Sequence, residues 1–308
     1  MTSSAPPAAL DHLIHLISPA SALEEALQLY TSLGFVVQRG GTHADQLTTN
    51  CLITLADGVY LELIAFVDPE QGCKVTGETK EAFEERRNRH WWWNREMGWI
   101  DVCLLGGATD GRTQAINERA GPNGSISYQQ PIEGARKTYE GNEIRWKVTF
   151  PTAKPGVSRG AVPFWCEDVT PREQRVVMMG NEHPNGCTGV ASLTLLFDED
   201  NFQQRVAAWA AVLDVDAQKL KTTSGSVRLH LSSPHGSSLI PLMLKRAEDP
   251  EERDWLAKYG EGVYEVGINA KAGQLPASAP PDGVERTTMD KGYGRLRFHP
   301  VMNGGGGQ

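Results

Sequence analysis

The sequence predicts an α+β protein in which βαβββ units repeat and pair, their curved mixed sheets enclosing a cleft. Three observations predict it. Residues 10–66 read in the order β-α-β-β-β, residues 99–167 read in that order again, and a third run of the same kind opens at Val190. One such unit leaves a sheet face unburied, so two of them pair and a cleft lies between the sheets. The 308 residues suffice for about two domains at ~150 residues each. The expected division is a paired βαβββ domain over 10–170 and a third βαβββ-like unit with a C-terminal extension over 171–300.

Each element has its own signal. Residues 10–17 (LDHLIHLI) form an apolar run of strand length. Residues 19–33 place Leu23, Ala26, Leu27, Tyr30 and Leu33 at helical spacing, with Ser18 as cap and Pro19 in the first turn. Gly34 stops that helix. A short strand at 35–38 precedes a polar loop at 40–50. Strands at 51–56 and 59–66 are joined by Asp57-Gly58, a hairpin signal. An excursion over 67–97 holds a charged helical stretch and then His90-Trp91-Trp92-Trp93. The second unit has strands at 99–105, 125–129, 143–150 and 162–167, and a helix at 110–120 capped by Thr109 or Asp110. The third has a strand from Val190, a helix at 201–213 and strands at 227–231 and 239–244. A helix at 251–259 and strands at 263–270 and 296–300 follow, the last two separated by a Pro/Ala/Ser-rich linker at 274–282. Residues 303–308 read as a polar tail. Three units are an odd number, and whether the third pairs within the chain or in a homodimer stays open.

Composition narrows the function classes. Apolar residues are 40% and charged residues 22%, ordinary for a globular protein. Thirty Lys and Arg against 38 Asp and Glu leave a net charge of −8, which argues against a general nucleic-acid surface. Arg86, Arg87 and Arg89 follow Glu81, Glu84 and Glu85, the pattern of a solvated helix face. The five cysteines contain no CxxC pair. Cys51, Cys103 and Cys166 sit in apolar runs as small hydrophobes. No stretch approaches the roughly 20 apolar residues of a membrane helix, and residues 1–9 lack the features of a secretory signal. A cytoplasmic protein with reduced thiols is expected. There is no GxSxG elbow, phosphate loop or HExxH helix, and no nucleotide cofactor is expected.

A further set of residues resembles a known family. Asp11-His12 opens the first strand, Leu33-Gly34-Phe35 follows the first helix, and Gly40-Gly41-Thr42-His43 is followed by Thr49-Asn50. Tyr60-Leu61-Glu62-Leu63-Ile64 and the later His183-Pro184-Asn185-Gly186 complete the set. These are similar to the glyoxalase-like domain proteins of the vicinal oxygen chelate superfamily. The resemblance is close over 10–66 and looser over 98–215. That superfamily includes glyoxalases, extradiol dioxygenases, epimerases, resistance proteins and binders without activity, so fold alone does not give the reaction.

Strand alternation puts His12, Ile14 and Leu16 on one face, and Tyr60, Glu62 and Ile64 on one face. The resemblance implies that a first-strand His and a fourth-strand Glu bind a divalent metal, and His12 and Glu62 stand at those positions. Zn, Fe, Mn, Ni and Mg are the candidates. The matching pair of the second unit is missing: Trp99 stands at one ligand position, with Asp101 two residues on, and Phe164 and Trp165 near the other, with Glu167 just beyond. A metal-free hydrogen-bonded pair of His12 and Glu62 therefore stands as the alternative. His43, in a Gly-rich loop, is a general acid or base, a third ligand, or an exposed loop residue. Asn50 binds a substrate carbonyl or holds the loop. Tyr60, Trp99 and Trp165 are expected to wall the cleft, and His183 to border it or to start the loop. The three consecutive indoles line a pocket, seal the second unit as a lid, or anchor a protein partner.

The expected function is an isomerase or lyase on a small carbonyl or vicinal-oxygen substrate with an aromatic or apolar body. His12 and Glu62 are its metal-binding or proton-transfer pair and Glu62 and His43 its catalytic groups. A metal-free binding or sequestration protein is the alternative.

Overall fold

The computed structural model describes residues 8–120, 125–138, 141–152, 159–177, 182–235, 239–271, 274, 284–285 and 294–301. The tail at 303–308 and the linker beyond residue 274 lie outside them. The first unit comprises β1 (Leu10–Ile17), α1 (Leu23–Ser32), β2 (Gln38–Thr42), β3 (Thr48–Thr54) and β4 (Tyr60–Phe66). Helices α2 (Pro69–Thr76) and α3 (Lys80–Asn88) form the excursion, capped by the side chains of Asp68 and Thr79. The second unit comprises β5 (Gly98–Leu105), α4 (Arg112–Ala120), β6 (Ile132–Lys137), β7 (Glu143–Thr149) and β8 (Phe164–Asp168). These eight strands form one sheet in the order β2-β3-β4-β1-β5-β8-β7-β6. Within each half the first strand lies parallel to the last, β1 beside β4 and β5 beside β8, and β1 meets β5 antiparallel.

After the short helix α5 (Arg172–Arg175) the chain builds a second sheet. Its elements are β9 (Cys187–Phe197), α6 (Phe202–Leu213), β10 (Ser226–Ser232), β11 (Leu239–Arg246), α7 (Pro250–Tyr259), β12 (Gly262–Lys271), β13 (Val284–Glu285) and β14 (Arg295–Val301). The order is β10-β11-β9-β12-β14-β13. Here β9 is parallel to β11, β12 is parallel to β14, and β9 meets β12 antiparallel. The third unit thus pairs within the chain. Its partner is an abbreviated fourth unit made of the C-terminal strands, whose places match those of β5 and β8 in the first sheet.

Several local expectations are corrected. The strand expected at 125–129 is a single bridge, Tyr128 to Pro151, and β6 follows it instead. The polar run 40–50 is mostly strand, because β2 reaches Thr42 and β3 starts at Thr48. Residues 35–37 precede β2 rather than forming it. No side chain caps α1, which a 3₁₀ turn at Ala20–Ala22 leads into. Gly34 does end it, with φ at +81°. That glycine is also a docking point. The Asn185 N–H donates to the Gly34 carbonyl at 3.1 Å, and a Cβ on Gly34 would lie 2.9 Å from Asn185.

One hydrophobic core joins the two sheets. Leu13, Leu63 and Val102 of the first pack in the same cluster as Leu193, Leu195 and Val266 of the second. The opposite face of the first sheet carries a smaller cluster of Ile14, Ile64, Trp92, Cys103, Phe164 and Cys166. The two edges of that sheet also touch. His43 and Arg136 form a bridge and the Ala44 N–H donates to the Ala135 carbonyl at 2.8 Å, so the sheet closes around its polar face. No described helix is long and apolar enough to cross a membrane.

Candidate active site

The closed face holds a cleft of about 420 Å³ including its mouth. His12, Asn50, Tyr60 and Glu62 line it, as the alternation of β1, β3 and β4 requires, and His43 joins them from the turn after β2. Trp92, Trp146, Phe164, Leu52 and Val148 supply an apolar wall.

The centre is a carboxylate between two imidazoles. His12 Nε2 lies 3.4 Å from Glu62 Oε2, and His43 Nε2 lies 3.9 Å from Glu62 Oε1. Asn50 donates from Nδ2 to Glu62 Oε1 at 2.7 Å, which fixes the carboxylate. His12 Nδ1 bonds the Asp11 carboxylate at 2.9 Å, and the ring stacks on Tyr60 with centroids 4.5 Å apart. His43 Nδ1 bonds the Thr48 hydroxyl at 2.6 Å. Burial holds the His43 ring below its usual pKa, with Glu62 opposing.

Asp11 reaches the site through a β-bulge. The β1–β5 register slips between Leu10 and His12, so Asp11 and its neighbour both serve the cleft face. The Asp11 carboxylate takes Arg172 Nη1 at 2.5 Å and Arg175 Nη1 at 3.0 Å. Arg175 also donates to Asp168 and, at 2.7 Å, to the Tyr60 hydroxyl. Burial works against the Asp11 charge, but Arg175, His12 and Arg172 hold its carboxyl far below the ordinary range.

Three expected cleft residues are elsewhere. Trp99 packs on the core face against His15, with ring centroids 4.5 Å apart. A second register slip, between Ile14 and His15, separates it from Asp101. Trp165 is also in the inter-sheet core, because strand alternation turns it away from Phe164 and Cys166. His183 is a structural link: it accepts the Val36 N–H on Nδ1 at 2.9 Å, and its Nε2 donates to the Thr54 carbonyl at 3.1 Å. Glu167 accepts the Ala108 and Thr109 N–H groups and does not enter the cleft.

The indole run is a lid. Trp91 and Trp92 both donate to Asp101 Oδ2, at 2.8 and 2.9 Å. Trp92 lines the cleft, Trp91 stacks on Phe150, and Arg87 lies over Trp93 at 4.1 Å. None of the three is exposed, which removes the support for a protein-binding anchor. Burial lifts the Asp101 carboxyl to about 6, with the two indole N–H groups opposing.

Sequence reasoning missed Asp11, Arg136 and Arg175 as cleft groups. The signal for Asp11 was its adjacency to His12. The arginines gave no signal, since one lies in an unrecognised strand and the other in a four-residue helix.

The profile of a glyoxalase-like domain matches residues 10–213. The chain belongs to the glyoxalase-like domain family. Among solved structures, a hypothetical protein from Staphylococcus aureus aligns with a TM-score of 0.62 at 16% identity, over 96% of this chain and 100% of that one. A mutant of 4-hydroxymandelate synthase from Streptomyces coelicolor aligns at 0.48 and 11% identity, over 87% and 72%. A xylose isomerase-like TIM barrel/4-hydroxyphenylpyruvate dioxygenase fusion protein aligns at 0.47 and 13%, over 93% and 42%. No curated protein sequence matches the chain.

Proteins of this fold family commonly bind a divalent metal, and two sets of donors in the chain bear on that need. Asp11, Cys103 and Cys166 have ligand atoms within 4.8 Å of one another. They suit a cation poorly. Two guanidinium groups already occupy Asp11, and burial pushes the Cys103 thiol well above its usual range. His12 and Glu62 fit better. With Nδ1–H given to Asp11, the lone pair of His12 Nε2 faces a carboxylate oxygen at 3.4 Å, and such a pair needs a proton or a cation between its members. A carboxylate braced behind a ligating imidazole is the usual second partner of a metal-binding His.

Proposed function

We propose that the cleft catalyses proton transfer on a small carbonyl compound with an aromatic or apolar body, an isomerase or lyase reaction. The observation that carries this reading is Glu62 flanked by two imidazoles, at 3.4 and 3.9 Å, on the floor of an apolar-walled chamber.

Each group has a part. Glu62 takes a proton from the carbon beside the carbonyl. The Asn50 amide on Oε1 keeps the carboxylate aimed, and leaves Oε2 as the working atom. His43, kept neutral by burial, accepts or returns a proton at the substrate oxygen or the neighbouring carbon. Asp11 fixes the His12 ring so that Nε2 points inward. Trp92 and Phe164, with centroids 5.7 Å apart, exclude water from the reacting carbon. A divalent metal bound here would be held by His12 and Glu62 and would supply a Lewis acid for the carbonyl oxygen, in which case His43 rather than Glu62 moves the proton.

The test is deuterium incorporation from D₂O into aryl ketones and aryl 2-hydroxy ketones, followed by NMR. Exchange by the protein as purified, lost in Glu62→Gln and His12→Ala, supports the reading. Tight binding of such compounds with no exchange replaces it with a sequestration protein. Elemental analysis before and after chelation decides the metal: a transition metal retained by the native chain and lost in His12→Ala assigns it to this pair.

A further inference from the structure

We infer that the ligand of this cleft carries a carboxylate and that Arg136 receives it. The inference rests on reading the cleft as the functional site and adds the class of molecule that enters it.

Arg136 projects from β6 into the cleft and is 6% exposed. Nη1 donates to the Gly40 carbonyl at 2.7 Å and Nη2 to the Arg175 carbonyl at 3.2 Å. Two backbone carbonyls thus clamp the guanidinium from both sides, and the bridge from its own backbone to His43 fixes its strand. Two of the five N–H donors of a guanidinium are used in this way.

Its charge has no such provision. Among the described residues no carboxylate lies within 4.0 Å of Arg136, whereas Arg172 and Arg175 each contact both Asp11 and Asp168. A buried guanidinium cannot shed its proton, and an unpaired buried charge is costly. Glu62 is near enough to ease the cost, but its oxygens are turned to Asn50, His12 and His43. Neutral side chains would serve the two carbonyl bonds without the penalty. A cation kept in a cleft at that penalty is matched to an anion that arrives from solution.

The chemistry of the anion follows from the site. One unpaired guanidinium balances one negative charge, and its planar fork fits a carboxylate. A phosphate dianion would need a second free cation, and Arg175, the other arginine that lines the cleft, is neutralised by Asp11 and Asp168. The rest of the ligand faces Trp92, Trp146 and Phe164, so an aromatic or branched apolar body suits it. A small organic acid of that kind would set its carboxylate on Arg136 and its body against the apolar wall.

The test is calorimetric titration of the full chain with phenylacetate and with phenylacetamide, which share a shape and differ in charge. The acid should bind about tenfold or more tightly than the amide. In Arg136→Gln the preference should vanish while the amide binds as before, and Arg136→Lys should restore part of it. Equal affinity of the native chain for both probes overturns the inference, as does binding of neither, and the native comparison needs no folded variant. The outcome is separate from catalysis. A chain that selects the acid through Arg136 but exchanges no proton keeps this inference and loses the catalytic reading. A chain that exchanges neutral ketones and ignores carboxylates does the reverse.

Discussion

Arg175, from the short helix after the second unit, reaches the Asp11 carboxylate in the first strand at 3.0 Å, and both side chains are buried. This contact ties the two halves of the cleft together and braces His12 at once. Replacing Asp11 with Asn leaves Arg172 and Arg175 sharing Asp168 alone. Removing one partner of a buried pair costs about 3–5 kcal/mol. Urea unfolding of Asp11→Asn should show a loss of that size. A loss below about 1 kcal/mol would mean the pair is solvated.

Glu62→Gln should separate chemistry from folding. The new amide oxygen still accepts from Asn50, so the urea midpoint should stay close to that of the native chain. Proton exchange should fall about 10²–10⁴-fold, the usual contribution of a positioned base. An unchanged exchange rate would remove Glu62 from the reaction.

Asp101→Ala should open the lid. Two indole N–H groups lose their acceptor, and leaving each buried donor unpaired costs about 1–3 kcal/mol. Acrylamide quenching of tryptophan fluorescence should increase, because Trp91 and Trp92 come away from Phe150. Unchanged quenching would show that stacking alone holds the segment.

Acid should weaken the fold partly through His15. Burial pulls its ring down to about 3 from an ordinary 6.5, and Nδ1 bonds the Tyr30 hydroxyl at 2.7 Å. The unfolded chain therefore binds this proton first. The contribution of His15 is full above pH 6.5 and is lost as pH falls from 6.5 toward 3. His90, pulled to about 4 by burial, acts in the same direction. Asp57 and Asp101, raised to about 6 by burial, act in the opposite one as pH rises from 3.8. The comparison that isolates His15 is His15→Gln against the native chain. The variant should lose less stability between pH 7 and pH 4 in urea titrations, and equal losses would assign the effect elsewhere.

The centre of the site was legible because strand alternation is a local rule. His12, Tyr60 and Glu62 sit in long apolar strands, where a two-residue period fixes the face of each side chain. The same rule misplaced Trp99, because the slip between Ile14 and His15 shifts the count by one. Trp165 was misplaced for another reason, since the stretch around it gave no sign of which face the second unit turns inward. Residues 132–137 (IEGARK) hide a strand, because charge and glycine dilute its apolar signal, and Arg136 was lost with it. The pairing of the third unit was open because β14 is separated from β12 by a long run without strand periodicity. Its partner became visible only as a strand register.

The core shared by both sheets has a consequence for how lesions in this chain will be read. The sheet that carries His12 and Glu62 has an oily reverse side that shares one core with α1 and with the second sheet and its helix α6. A fragment ending near residue 177 would present that side to water and aggregate rather than work at reduced rate. A disabling substitution in the C-terminal third, such as one at Val266, will therefore score as lost activity though it stands nowhere near the chemistry.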